Sequence, residues 1–441
     1  MKKFSRSVLF LAVSGAVLGA SAVSASTQLH PPGALWTHGK SVNHSSLLSV
    51  TANPAAGSLV VAPGEKIRTG YLSSISFGLE VGDVDNFQDE IDDLIDELDR
   101  DDIGFQDAED TIERFNAILP EMGREGYLHF EGTVHAPVFP IAIQSDFLQG
   151  VVTLDLQASG AVNGRLLDDQ LTYNSEQKNL ESNSSLYLKS AMLTTASLGF
   201  SREVWQPTET SKLYLGATGN LYRASISKQL LKLQALDGES LSDVIRDEYD
   251  RNEETSTQFG LDLGLLWTLP YGQVGMTIAN INEPKFDYGS LNRSCADMDD
   301  ARSRENCAVA IDTFAPAGRI ALDETVTFDT QITLEGAVYT PGKNWLLAGS
   351  VDTNSVYDLV GMERQWLTLS ATYFADSYLI PNARVGIRKN LAGSELTYLN
   401  LGTTLFGVAN LDLGYSLDST EIDGSSTPRG LAISFGFEEK F

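Results

Sequence analysis

Phe259-Gly260-Leu261-Asp262-Leu263-Gly264-Leu265-Leu266-Trp267-Thr268-Leu269 carries an apolar residue at every odd position, and, apart from Leu266, Gly, Asp or Thr at the even ones. A period of two over eleven residues is the signature of a strand whose two faces meet different surroundings. An aspartate in the middle of the polar face suits a wet interior better than the dry space between two packed sheets. The length matches a strand tilted across a bilayer, which needs about ten residues.

The same period recurs outward from this stretch. Val326, Phe328, Thr330, Ile332, Leu334, Gly336 and Val338 alternate with Thr327, Asp329, Gln331, Thr333 and Glu335. Leu411, Leu413, Tyr415 and Leu417 alternate with Asn410, Asp412, Gly414 and Ser416, and Val152, Leu154, Leu156 and Ala158 with Thr153, Asp155 and Gln157. About thirteen such segments follow residue 126, and Gly70–Phe77 adds one more. The expected fold is therefore all-β, a transmembrane antiparallel barrel of about 14 strands, within the range 12–16. Only a closed sheet leaves no unpaired backbone in lipid. Trp267, Tyr271, Trp345, Trp366 and Tyr373 fall near strand ends and are expected in interfacial girdles. Tight links such as Pro270-Tyr271-Gly272 and Pro341-Gly342-Lys343-Asn344 read as periplasmic turns. The polar stretches 229–254 and 285–323 read as outer loops, the first with a helical pattern over Leu241–Tyr249.

The start of the chain points to export. Lys2, Lys3 and Arg6 precede an apolar run from Val8 to Leu18, and small residues follow through Ser21-Ala22-Val23-Ser24-Ala25. That is the three-part pattern of a secretory signal peptide, with cleavage expected after Ala25. No later run is apolar enough for a membrane helix. The net charge is -28, and removing the three bases of residues 1–25 takes it to -31. Such a surface repels nucleic acid and anionic lipid headgroups, so no nucleic-acid partner is expected. Cys295 and Cys307 share one polar loop and would meet an oxidising compartment, so a disulfide is expected, stabilising that loop by roughly 3 kcal/mol.

Residues 83–121 break the pattern. They hold sixteen acids and two arginines, with apolar residues at Phe87, Ile91, Leu94, Ile95 and Leu98, then at Ala108, Ile112, Phe115 and Ile118. Both are helical stripes, joined through Gly104 and ended by Pro120. The expectation is an acidic helical hairpin that plugs the barrel or sits below it in the periplasm. Asp99, Asp101, Asp107 and Asp110 stand at calcium-loop spacing around Gly104. Ile103 in the fifth place and Asp110 in place of the usual glutamate depart from that loop, leaving a solvated helix pair as the expected state. His129, Glu131 and His135 share parity on one strand and are expected on the solvated lumen face. The two histidines lie roughly 20 Å apart there and cannot share an ion. No nucleophile elbow, dinucleotide fingerprint or well-formed phosphate loop occurs, so no catalytic residue, cofactor or enzymatic activity is expected.

Asn53-Pro54-Ala55 follows a segment rich in turn residues, Pro31-Pro32-Gly33 and His38-Gly39-Lys40. The order of signal peptide, Asn-Pro-Ala and long barrel resembles the long-chain fatty-acid transporter superfamily, whose N-terminal segment enters the barrel as a hatch. With the acidic hairpin between that segment and the barrel, the chain resembles more specifically the conjugal transfer TraF-like outer-membrane family. The final strand, with Leu431, Ile433, Phe435 and Phe437 on one face before Phe441, resembles the C-terminal signal of bacterial outer-membrane barrels. These resemblances imply residues 1–25 as signal peptide, 26–82 as hatch-like segment and first strand, 83–124 as helical hairpin and 125–441 as barrel. They imply a Gram-negative outer membrane as location and its lipid as partner. They also imply a non-enzymatic role in conjugation or envelope assembly, with envelope proteins as partners, or passage of a hydrophobic small molecule such as a fatty acid. An occluded lumen would favour transport with a hatch, and an open one a pore or scaffold.

Overall fold

In the computed structural model, residues 33–38, 46–62, 64–236, 241–291, 295–298, 300–375 and 379–439 are described. The signal-peptide expectation for residues 1–25 lies outside them. Fifteen strand segments build the wall: β1 (Ile67–Val81), β2 (Tyr127–His135), β3 (Ile141–Ser145), β4 (Gly150–Leu167), β5 (Ser185–Thr208), β6 (Ser211–Lys232), β7 (Glu254–Leu269) and β8 (Gly272–Ala279). They continue as β9 (Gln331–Tyr339), β10 (Trp345–Asp352), β11 (Trp366–Tyr373), β12 (Asn382–Asn390), β13 (Thr397–Leu405), β14 (Ala409–Ser416) and β15 (Gly430–Glu439). Each pairs antiparallel with its neighbours, and β15 pairs back onto β1, from Thr69 opposite Glu439 to Glu80 opposite Gly430. Both β2 and β3 lie between β1 and β4, β2 on one half and β3 on the other. The ring therefore has 14 places and no free edge, as the strand count from sequence expects.

The two-residue period decides which way each side chain turns. Leu263, Leu334, Leu347, Leu369, Ile387, Leu401, Leu413 and Ile433 are exposed on the outer face. Thr153, Gln157, Thr195, Thr333, Ser350, Thr368, Asn400 and Ser434 turn inward and are buried. Aromatic pairs mark the short-turn end of the outer face, with Trp345 on Tyr373 and Trp205 on Trp267. Trp366 departs from the girdle expectation: it shares parity with buried Thr368 and Ser370, and therefore faces the lumen. The alternation through Val326 and Phe328 is also not one strand. Residues 325–327 pair antiparallel with 285–287 at the base of the long loop, and β9 begins only at Gln331.

Strands β4, β5 and β6 run 18, 24 and 22 residues, well beyond a bilayer's need, and overhang at the long-loop end. Their outward residues Leu166, Leu186, Leu188 and Leu231 receive the acidic hairpin, α1 (Phe87–Leu98) and α2 (Phe105–Glu125). Ile91, Leu94, Leu98, Ala108 and Phe115 are the buried stripe that the sequence places there. The hairpin thus neither plugs the barrel nor lies at the short-turn end; it leans on the outside of the overhanging wall. Helix α2 also continues through Pro120 to Glu125, because Leu119 and Met122 extend the buried stripe and offset the hydrogen bond a proline removes. Loop residues fold over the other face of the same overhang. Phe286, Tyr288, Val326, Phe328, Leu359, Val360 and Met362 pack against inward-facing Ala191, Leu193, Tyr222, Ala224 and Ile226, forming an apolar roof across the mouth. A disulfide joins Cys295 and Cys307 in the neighbouring loop, as expected.

Candidate ligand cavity in the barrel lumen

Residues 46–62 stand inside the ring at the end where the strands are joined by short turns. Glu438, turned inward from β15, accepts from the Ser46 hydroxyl at 2.7 Å and from the Leu47 N–H at 2.8 Å. Arg68 of β1 donates to the Val60 carbonyl at 2.8 Å. Asn53 forms the centre. Its Oδ1 accepts from the Ala55 N–H at 2.9 Å, and its Nδ2 donates to Glu335 of β9 at 3.1 Å and to the carbonyls of Leu265 and Met276. Pro54 opens the short 3-10 turn that follows, where its missing N–H is no loss. Asn53, Pro54, Ala55 and Ala56 are all buried.

The wall is shaped to receive this turn. A Cβ on Gly216 would meet the Pro54 carbonyl oxygen at 2.3 Å, and one on Gly264 would meet Asn53 Oδ1 at 2.1 Å. These glycines of β6 and β7 are where the backbone of the inserted segment lies directly on the backbone of the barrel. Farther round, Thr37 donates to Asp412 at 2.6 Å, and Arg384 pairs with the same carboxylate at 2.9 Å.

Between this segment and the roof lies a cavity with about 1370 Å³ of space unfilled by protein atoms, part of it open to solvent. Trp36, Val50 and Pro54 line its floor. Its walls are mainly Thr, Ser, Asn, Gln and Asp from the inward faces of the strands, with Tyr222, Trp366, Arg364 and Arg388 among them.

A charged cluster closes one side. Arg364, from the loop after β10, donates to Glu80 of β1 at 3.0 Å and to Glu131 of β2 at 3.3 Å, and lies 3.0 Å from His129 Nε2 and 3.8 Å from Asp358. Tyr398 donates to the same Glu80 at 2.7 Å. Burial holds the Asp358 carboxyl above its ordinary range, with Arg364 and His129 pulling it back. His129, Glu131 and Asp358 offer ligand atoms within 4.8 Å of one another, the grouping a metal would need. The guanidinium of Arg364 already fills the cation's place among them, so an ion pair is the arrangement these atoms support. The solvated lumen face expected for His129, Glu131 and His135 is therefore corrected: all three turn inward, but all three are buried. For His129 and Glu131 the missing information was the loop carrying Asp358 and Arg364, more than 200 residues away, which no spacing within β2 reveals; His135 lies instead 3.7 Å from Asp155 of β4.

The calcium-spaced acids behave differently. Asp99 and Asp101 lie between the helices, while Asp107 and Asp110 lie on α2. Among the described residues, none of them belongs to a metal-capable group of three. Ile103 is buried in the hairpin core and its N–H donates to the Lys178 carbonyl at 2.8 Å, so the departure at the fifth place is an apolar anchor.

The family described as "F plasmid transfer operon, TraF, protein" matches residues 50–352, from the inserted segment through the tenth strand. The chain belongs to this family. Its hairpin and its Asn-Pro-Ala turn thus fall within one matched span. Among solved structures, the chain is similar to the TodX deltaS2S3 mutant monoaromatic hydrocarbon channel, at 11% identity and a TM-score of 0.47, over 95% of this chain and 99% of that one. It is also similar to the Pseudomonas putida toluene transporter TodX, at 12% identity, a TM-score of 0.43 and coverage of 95% and 100%. A Pseudomonas aeruginosa FadL homologue matches at 10% identity, a TM-score of 0.41 and coverage of 96% and 100%. No curated protein matches the chain significantly.

Proposed function

We propose that this chain is a non-enzymatic channel of a Gram-negative outer membrane, which takes a small molecule into its lumen cavity and passes it beyond the N-terminal segment. The observation that carries this reading is the placement of residues 46–62 inside the ring, with the cavity directly above them. An apolar outer face, aromatic pairs near the short turns and a polar inner face support a lipid setting. The basic, apolar and small-residue run of residues 1–25 supports export. Short turns at the end where β1 begins and β15 ends support that side as periplasmic and the roof as outermost.

The cavity tempers the expectation of a purely hydrophobic cargo. Asp155, Asp262, Asp352 and a series of threonines line it beside the aromatic rings, so the solute that fits is amphipathic. Proteoliposomes test the reading. Small-solute flux should exceed that of empty vesicles, and should rise further in Gly216→Leu, where the added side chain displaces the Pro54 turn. Flux equal to empty vesicles in both would refute it. Incubation with phospholipids and peptides should give no turnover.

Family membership favours a second role, in conjugative transfer or envelope assembly with other envelope proteins. Deleting the gene should lower mating frequency or weaken the envelope; unchanged values for both would remove that role.

A further inference from the structure

Arg364, Arg384 and Arg388 all turn into the lumen and all are buried. Buried cations are ordinarily paired, since an uncompensated charge away from water is costly. Two of the three conform. Arg364 is engaged by Glu80, Glu131 and His129, and Arg384 by Asp412, Thr37 and Thr404. Arg388, on the same strand β12 and only 3% exposed, differs. Among the described residues it makes neither an ion pair nor a hydrogen bond, and its Nε is enclosed without an acceptor. The acids that face it, Glu131 and Glu80, are already held by Arg364.

What surrounds Arg388 is aromatic. Its guanidinium carbon lies 3.8 Å from the centre of the Trp366 ring, and 5.4 Å from those of Trp36 and Tyr398. Stacking fixes the plane of the guanidinium and eases its burial, but satisfies none of its five N–H donors. Arg388, Trp366 and Trp36 all line the cavity. A planar fork of donors, held rigid and left without acceptors, is complementary to a carboxylate. The flanking rings are complementary to a flat apolar body. Glu131 also lines the cavity, and its charge disfavours a dianion such as phosphate more than a single carboxylate.

We propose that the cavity binds a small organic carboxylate with a flat apolar body, its oxygens on the Arg388 fork and its body between Trp36 and Trp366. This assignment rests on the reading that the cavity is a solute site. Because Trp36 belongs to the N-terminal segment, the bound molecule touches both the wall and the element that closes the lumen below it.

The test uses the full barrel refolded in detergent micelles, with binding read by calorimetry and by tryptophan fluorescence. Benzoate, neutral benzamide and cationic benzylamine are the probes. Benzoate should bind at least ten-fold more tightly than benzamide, and benzylamine least. Arg388→Lys should weaken benzoate about ten-fold, and Arg388→Met should abolish the preference for benzoate over benzamide, both variants migrating as folded barrels in unheated SDS gels. Equal binding of benzoate and benzamide by the native protein, no binding of either, or a preference that survives Arg388→Met overturns the assignment. The two readings separate cleanly. Flux without a benzoate preference leaves the channel and removes the carboxylate site; Arg388-dependent benzoate binding without flux does the reverse.

Discussion

The contact between Gly216 and the Pro54 carbonyl leaves no room for a side chain, and Asn53 spends its whole amide on holding that turn in place. Asn53→Ala removes an acceptor for the Ala55 N–H and a donor to Glu335, at a cost of about 1–3 kcal/mol. The expected result is faster hydrogen exchange at Ala55 and Ala56 with the strand amides unchanged. Arg364 is a second residue on which several depend. Arg364→Met would leave Glu80 and Glu131 buried without their guanidinium, costing about 3–5 kcal/mol. A lower urea midpoint, partly restored by adding Glu131→Gln, is the expected outcome. Sequence exposes these two residues unequally. Asn53 stands out because Asn-Pro-Ala is a recognisable cap and turn. Arg364 does not, because its partners lie on strands separated from it by most of the chain.

Among the elements, α1 concentrates like charge. Asp92 is half-buried, and burial together with Asp89, Asp96 and Asp93 raises its carboxyl above the ordinary value. A raised folded pKa means that the folded helix holds the proton more tightly than the unfolded chain. The resulting stability is fully present below the unfolded pKa and is lost as pH rises through the folded one. Asp92→Asn should therefore stabilise the helix at neutral pH by about 0.2–0.5 kcal/mol. Slower exchange of the Ile91 and Leu94 amides at pH 7 would register this, and the gain should vanish in acid. Both helices were legible from period alone, because Ile91, Leu94, Ala108 and Phe115 recur at helical spacing. The end of α2 was not: Pro120 is a local stop signal, overridden by burial of Leu119 and Met122 that only the overhanging wall provides.

For the whole molecule, the apolar outer face predicts a graded response to charge. Leu369, at the middle of β11, is 60% exposed on that face. Leu369→Arg should destabilise the barrel by about 2–4 kcal/mol, measured by urea titration after refolding into lipid vesicles. The same change at Leu417, beyond the end of β14, should cost about 0–1 kcal/mol. What the sequence determined by itself is the ring: alternation is a local property, and a strand with one greasy and one polar face has few ways to satisfy its backbone in lipid other than closure. Strand number, the disulfide and the helical stripes followed from equally local signals. Beyond the hatch-like segment that Asn-Pro-Ala suggests, tertiary structure decided what occupies the interior. The inward turn of Trp366 follows from its parity with Thr368 and Ser370, but the transfer of Val326 and Phe328 from wall to roof and the meeting of His129, Glu131, Asp358 and Arg364 depend on loops folding back into the ring. Such contacts join residues far apart in the chain, and no period or spacing within a single segment encodes them.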